Sequence, residues 1–175
     1  AGSVLAALDP ERYDVVPIGI TREGRWVLSS DDPAKFEIRG GELPEVAASD
    51  ASVVLAADPT APELVVCEPG AVPRVLADVD VVFPLLHGPY GEDGTIQGLL
   101  ELTGIPYVGA GVLSSAAAMD KQYMKLVLHG GGLPDIPHVV VRQREWDDDK
   151  SAVRESVASL GFPVFVKPAR GGSSI

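Results

Sequence analysis

Apolar residues along the chain follow two patterns: short β-branched runs, and segments whose apolar positions recur every three or four residues. The first pattern is typical of strands and the second of helices that bury one face. Because the two alternate along most of the chain, the sequence predicts an α/β fold. The predicted strands are 13–20, 25–28, 63–67, 81–86, 105–108, 139–141 and 162–167, and the predicted helices are 1–10, 95–102, 114–128 and 151–160.

Two stretches carry weaker patterns. Residues 29–62 are rich in Asp, Pro, Gly and Ala with short apolar patches, which predicts little regular structure. Residues 75–78 are too short for more than a brief helical turn. The predicted strand pair at 13–20 and 25–28 is expected at the edge of the sheet.

The stretch 81–98 is the main candidate for a ligand site. Its continuous apolar run at 81–86 is typical of a strand covered on both faces of a parallel sheet, and glycines at 88, 91 and 94 then allow a tight turn before a helix. In open α/β sheets, ligands bind at such carboxyl ends of strands. His87 ends the strand, where an imidazole could orient a carboxylate or accept a proton. A structural, hydrogen-bonded histidine is nearly as good an interpretation.

The loop at 169–174 is a second candidate site. Its Gly-Gly-Ser-Ser turn could expose backbone N–H groups to an anion, with Lys167 as a nearby cation. Lys167 precedes the glycines, however, whereas the lysine of a Walker loop follows them. Taken alone, these residues favour a surface lysine beside a flexible turn, and Lys121 alone favours a solvated helix face.

Composition restricts the function classes. The 175 residues carry a net charge of −11, which disfavours binding to nucleic acids and anionic membranes. No apolar run approaches the roughly 20 residues of a membrane span. The single cysteine, Cys67, cannot form an internal disulfide, so a reducing, cytoplasmic location is the default expectation.

Residues 87–98, HGPYGEDGTIQG, resemble the signature of the D-alanine:D-alanine ligase family at every fixed position. Segments 115–121 and 162–174 agree with the family in order and spacing, the latter being shared widely among ATP-grasp enzymes. The long excursion at 29–62 is similar to that of actinobacterial members. The resemblance implies a Rossmann-like, pre-ATP-grasp amino-terminal domain over residues 1–111, followed by the start of an ATP-grasp central domain over 112–175.

By this resemblance, ATP phosphorylates the carboxylate of one D-alanine, and the amine of a second attacks the acyl phosphate, making a peptidoglycan precursor. His87 and Ser173 are the implied catalytic residues, and with Glu92 they would bind the substrates. Glu92 would also support its own turn. The implied ATP-binding residues are Lys121, Lys167, Gly172, Ser173 and Ser174.

Several parts of the family pattern are expected outside the chain. A first strand with a glutamate for D-alanine should precede Ala1, and the oxyanion arginine and Mg²⁺ ligands should follow Ile175, which leaves no metal ligand within it. The chain by itself is therefore expected to be inactive. The family forms homodimers, so a homodimer is implied. Alternatives are a D-alanine:D-lactate ligase and a non-catalytic nucleotide-binding domain.

Overall fold

The computed structural model describes residues 1–36 and 44–172. The helices are α1 (Gly2–Ala7), α2 (Thr95–Thr103), α3 (Val112–Met119), α4 (Lys121–Gly130), α5 (Gln143–Asp148) and α6 (Lys150–Ala158), with a short 3-10 helix at Pro33–Phe36. The strands are β1 (Ile18–Ile20), β2 (Trp26–Leu28), β3 (Ser52–Leu55), β4 (Glu63–Cys67) and β5 (Arg74–Asp78).

The chain divides into two compact units. The sheet unit comprises Ala1–Leu85 and Leu99–Val108, and the helical unit comprises Leu86–Gly98 and Gly109–Ile175. In the described part of both units, no helix is long and apolar enough to cross a membrane.

The sheet unit contains two antiparallel sheets. Strands β1 and β2 form one, and β3, β4 and β5 form the other in that order. In the second sheet, Val53 pairs with Val66 and Leu55 with Leu64, and all four side chains are buried. Because side chains alternate along a strand, this register places one apolar face in the core. Among the described residues of this unit, Val27, Leu100 and Ile105 are the other buried apolar side chains.

Several predictions about the sheet unit are wrong. The stretches 81–86 and 105–108 form no ladder in the described structure, only a parallel bridge between Val82 and Tyr107. Pro84 contributes to this, because it has no N–H to continue the ladder beyond Val82, whose own N–H donates to Pro106 O. Residues 75–78, predicted as a helical turn, belong to β5, which pairs with β4 across a bulge at Leu64/Val65.

The other elements predicted for the sheet unit form as predicted or are shorter than predicted. Helix α1 and strand β4 form where predicted, whereas the predicted strand 13–20 is reduced to β1. Strands β1 and β2 pair as expected, but as a separate sheet. The weakly patterned stretch contributes β3 and the 3-10 helix, and residues 37–43 within it lie outside the described residues.

The helical unit breaks the predicted helix 114–128 into α3 and α4. The break falls at Asp120, which has extended backbone and caps α4 with its carboxylate. An aspartate at this position stabilises a new helix start better than it stabilises a helix interior. Helices α2 and α6 form close to their predicted bounds, and α5 was not predicted.

Two strands predicted for the helical unit do not form. In the part of the chain that the structure describes, neither 139–141 nor 162–167 pairs with another strand. Phe165 and Val166 are each 92% exposed. A β-branched run becomes a strand only where a neighbour satisfies its backbone groups, so the local pattern alone could not decide these stretches.

Candidate functional site

The glycine turn, residues 88–94, is closed by its two acidic residues. Gly88 N–H donates to Glu92 Oε2 at 2.5 Å, and Tyr90 N–H donates to Asp93 Oδ2 at 2.8 Å. The Tyr90 bond is the main reason that the pKa of Asp93 is lowered from its usual value. Tyr90 itself has a φ of +67°, a conformation that is uncommon outside glycine. Carboxylates therefore hold this strained turn in shape.

The start of α2 and the start of α3 both support the glycine turn. Gln97 Nε2, on α2, donates to Gly91 O at 2.9 Å, and this side chain is buried. Gly94 has a φ of +92°, and a Cβ there would lie 2.9 Å from Val112 O at the start of α3. Only glycine meets both conditions, so α3 can pack directly on the turn.

The Lys121 junction, residues 120–121, lies at the break between α3 and α4. Asp120 Oδ1 accepts hydrogen bonds from the N–H groups of Gln122 and Tyr123, at 3.0 and 3.3 Å. Asp120 Oδ2 accepts from Arg170 Nε at 2.7 Å. The Arg170 bond is the main cause that lowers the pKa of Asp120, against the opposing effect of burial. Asp120 is thus ionised at neutral pH, with both oxygens in use.

The 169–172 loop contacts the Lys121 junction through two further bonds. Lys121 N–H donates to Ala169 O at 3.0 Å, and Lys121 Nζ donates to Gly172 O at 3.4 Å. The second bond is long, so it is weak compared with a charge-assisted bond to an anion. The ammonium of Lys121 therefore lies next to the backbone of the 169–172 loop.

The 169–172 loop also packs against the glycine turn. At Gly172, where φ is +67°, a Cβ would lie 2.9 Å from both Gly88 Cα and Glu92 Oε2. The loop thus touches the two motifs that precede it by about 50 and 80 residues in the sequence. Three segments that are far apart along the chain meet in one place within the helical unit.

The predicted site residues divide into three groups. Glu92, Lys121 and Gly172 lie together at this meeting point. His87 and Lys167 are exposed, and neither side chain has a hydrogen bond or ion pair among the described residues. The structural, hydrogen-bonded alternative for His87 therefore has no support in this part of the chain. Ser173 and Ser174 lie outside the described residues.

A surface pocket of about 480 Å³ opens beside the meeting point. Its lining combines apolar side chains with tyrosines and the Asp120–Arg170 ion pair. The lining residues are Pro89, Tyr90, Asp93, Ala116, Met119, Asp120, Tyr123 and Arg170. Sequence reasoning assigned no role to Asp120 or Arg170. An aspartate before a helix start could have signalled the cap, but nothing local signals its arginine partner.

The described residues offer no cluster of metal-binding side chains. Among residues 1–36 and 44–172, no group of three or more His, Cys, Asp or Glu side chains could hold a metal ion. Near the 169–172 loop, the Glu92 carboxylate accepts from a backbone N–H and the Asp120 carboxylate is paired with Arg170, whereas Lys121 has no carboxylate partner among the described residues. The ammonium of Lys121 could therefore meet an anionic ligand.

Comparison with known proteins identifies the family. A model of the D-ala D-ala ligase N-terminus matches residues 1–110, and one of the D-ala D-ala ligase C-terminus matches residues 127–175. The D-alanine–D-alanine ligase of Streptomyces griseus is 55% identical over 183 residues, which cover 100% of this chain and 47% of the relative. That of Rhodococcus erythropolis is 59% identical over 176 residues, again 100% and 47%. The chain therefore spans about half the length of these relatives.

Solved structures agree with the sequence comparison. The VanG D-Ala:D-Ser ligase of Enterococcus faecalis is 34% identical with a TM-score of 0.73, over 98% of this chain and 47% of that one. The D-alanine-D-alanine ligase of Coxiella burnetii is 31% identical with a TM-score of 0.65, over 90% and 43%. The predicted α/β fold class and the actinobacterial resemblance are confirmed. The chain belongs to the D-alanine:D-alanine ligase family.

Proposed function

We propose that the intact protein containing this chain is an ATP-dependent ligase that joins two D-alanines through an acyl phosphate, for peptidoglycan precursor synthesis. The observation that carries the proposal is the meeting of the glycine turn, the Lys121 junction and the 169–172 loop within the helical unit. Family membership supports the reaction, and this meeting point brings together three of the residues that the reaction would use, Glu92, Lys121 and Gly172.

Phosphoryl transfer needs positioned positive charge more than covalent chemistry. Lys121 is suited to that task because its ammonium holds only a 3.4 Å bond to Gly172 O, which a phosphate oxygen would replace with a stronger one. Lys167 is exposed just before the loop and would act as a second cation. Gly172 allows the loop to approach, with Ser173 and Ser174 next along the chain as further donors.

The substrate side of the reaction is assigned to the glycine turn. His87 adjoins it with an exposed ring, so it is available to face the D-alanine substrates. Glu92 would act through the turn, because its carboxylate accepts from Gly88 N–H. We assign this substrate-side role to an amino-terminal domain over residues 1–111 and the ATP role to a central domain that begins at 112.

Magnesium is the cofactor that the family implies alongside ATP. Among the described residues, no group of three or more His, Cys, Asp or Glu side chains could hold a metal ion, and we propose that the protein ligands of Mg²⁺ lie outside this chain. We further propose a cytoplasmic homodimer that acts on D-alanine and ATP, with no nucleic-acid or membrane partner. The net charge of −11 supports the last point, since both surfaces are anionic.

The experiment uses the intact protein with ATP, Mg²⁺ and D-alanine. We expect phosphate release that depends on D-alanine, together with D-alanyl-D-alanine identified by mass spectrometry. A matched reaction with L-alanine is the control and should release no additional phosphate. Absence of D-alanine-dependent phosphate release would refute the proposal.

The proposed reaction leaves open which acceptor serves as the second substrate. The structural likeness to a D-Ala:D-Ser ligase, with a TM-score of 0.73, makes D-serine a candidate acceptor beside D-alanine and D-lactate. Equal concentrations of the three acceptors should be compared across pH, and we expect D-alanine to be preferred. A non-catalytic nucleotide-binding domain would instead tolerate replacement of His87 or Ser173 without loss of cellular function.

A further inference from the structure

The Asp120–Arg170 ion pair joins residues that are 50 positions apart in the sequence. The Asp120 side chain is 11% exposed and the Arg170 side chain 76% exposed, with a distance of 2.7 Å between Arg170 Nε and Asp120 Oδ2. Asp120 is fixed independently, because its other oxygen caps α4. The buried Asp120 is therefore a fixed anchor, and Arg170 joins the 169–172 loop to it.

We propose that this ion pair is a latch in which Asp120 and Arg170 act as positioning residues that hold the 169–172 loop against the start of α4 while the triphosphate is bound. The proposal rests on the proposed function, since it concerns the same ATP site. It adds two residues to that site that do not themselves need to touch the nucleotide.

The other bonds of the loop show why a latch is needed. Lys121 Nζ holds Gly172 O in the free protein, but this bond is lost when the ammonium turns to a phosphate. The backbone bond from Lys121 N–H to Ala169 O then remains, but it holds the residue before Arg170 and not Gly172, which follows it. Because the Asp120–Arg170 bond uses no atom assigned to ATP, it persists in both states and keeps the loop in place.

The test is a double-mutant cycle in the intact protein with the variants Arg170→Gln, Asp120→Asn and both together. Asparagine still caps a helix, so Asp120→Asn removes the charge of the latch and keeps α4. We expect each single variant to raise the equilibrium dissociation constant of ATP by about two- to fivefold, and the double variant to do no worse, because both remove one interaction. Arg170→Lys should restore part of the affinity. The KM for D-alanine should not change.

The control is Arg144→Gln, which removes an exposed ion pair to Asp148 within the same unit. It should leave ATP affinity unchanged. Single effects that multiply in the double variant would mean that Arg170 contacts ATP independently of Asp120, and that result would overturn the latch, as would unchanged affinity in Arg170→Gln.

The dissociation constant is measured without D-alanine, so it does not depend on turnover. Wild-type protein that binds ATP but forms no dipeptide would refute the proposed reaction and leave the latch standing. Wild-type activity with an unaffected Arg170→Gln variant would refute the latch alone. A wild-type protein that does not bind ATP would refute both.

Discussion

Different kinds of interaction stabilise the interior of each of the two units. In the sheet unit, buried apolar side chains face each other across paired strands, as Val53 does with Val66. In the helical unit, the buried apolar residues among those described are Ile96 and Met119, beside the buried polar residues Gln97, Ser115 and Asp120. Hydrogen bonds between distant segments therefore do in the helical unit what apolar packing does in the sheet unit.

This difference separates stability from function. An apolar core is insensitive to charge and pH, and it leaves no polar group free for a ligand. A site for a charged substrate needs the opposite: polar groups held in place by other polar groups, at some cost in stability. Among the described residues, the one non-glycine residue with a positive φ, Tyr90, belongs to the helical unit. The comparison predicts that mutations and acid will affect the two units differently.

The largest effect is expected in the sheet unit. Leu100 is fully buried, so Leu100→Ala should lower the free energy of unfolding by about 2–5 kcal/mol through lost burial and a residual cavity. The matched control is Leu102→Ala on the same helix, since Leu102 is 68% exposed and should cost well under half as much. Urea unfolding followed by the fluorescence of Trp26, on β2, measures both. Equal costs would contradict the assigned core.

A smaller and local effect is expected at Gly172. Alanine there would adopt a φ of +67° and place its Cβ 2.9 Å from Gly88 Cα, so the docked loop should lose about 1–3 kcal/mol. Hydrogen-exchange protection of the Lys121 amide, which donates to Ala169 O, measures this loss. Gly130→Ala is the control, because no atom lies within 4 Å of a Cβ there and its φ is not positive. Unchanged protection in Gly172→Ala would show that the loop does not pack as described.

The smallest effect concerns acid. Arg170 lowers the pKa of Asp120, and Lys125 lowers that of Asp135, so the folded state holds fewer protons than the unfolded state near pH 4. The stability from these pairs is present above the unfolded pKa and is lost as the pH falls through the folded pKa. Both pairs join separate segments of the helical unit. In the sheet unit, the lowered pKa of Asp58 comes mainly from Thr60, only two residues away.

Acid should therefore loosen the helical unit first. The chain has two tryptophans, Trp26 in the sheet unit and Trp146 in the helical unit, so Trp26→Phe and Trp146→Phe variants report on one unit each. Between pH 7 and pH 3, the urea midpoint from Trp146 should fall more than that from Trp26. Adding Asp120→Asn should reduce the fall seen by Trp146. An equal fall in both units would contradict the comparison.

The sequence predicts the sheet unit where the signal is local. The bounds of β4 were predicted to the residue, because a short apolar run and a following Pro-Gly turn are both short-range features. The sequence did not predict whether β4 pairs in parallel or antiparallel, since a continuous apolar run is compatible with both kinds of neighbour. The predicted strands 139–141 and 162–167 did not form because a strand also needs a partner, which the local sequence does not specify.

The candidate site shows the same limit in another form. The family resemblance named Glu92, Lys121 and Gly172, and the structure places these three together, while the roles assigned to them stay predictions. Arg170 was missed because its significance depends on an aspartate 50 residues earlier in the chain. Periodicity and turn chemistry act over a few residues, so they do not detect such a contact.

The most direct test of the account is hydrogen exchange of the intact protein with and without ATP. If the Lys121 junction and the 169–172 loop bind ATP, and this loop packs on the glycine turn, saturating ATP should slow exchange in peptides covering these three segments. Exchange in β3 and β4 should not change, because those strands lie in the apolar core of the sheet unit. Unchanged exchange at all three segments, or slowing confined to the sheet unit, would contradict the assignment of the site.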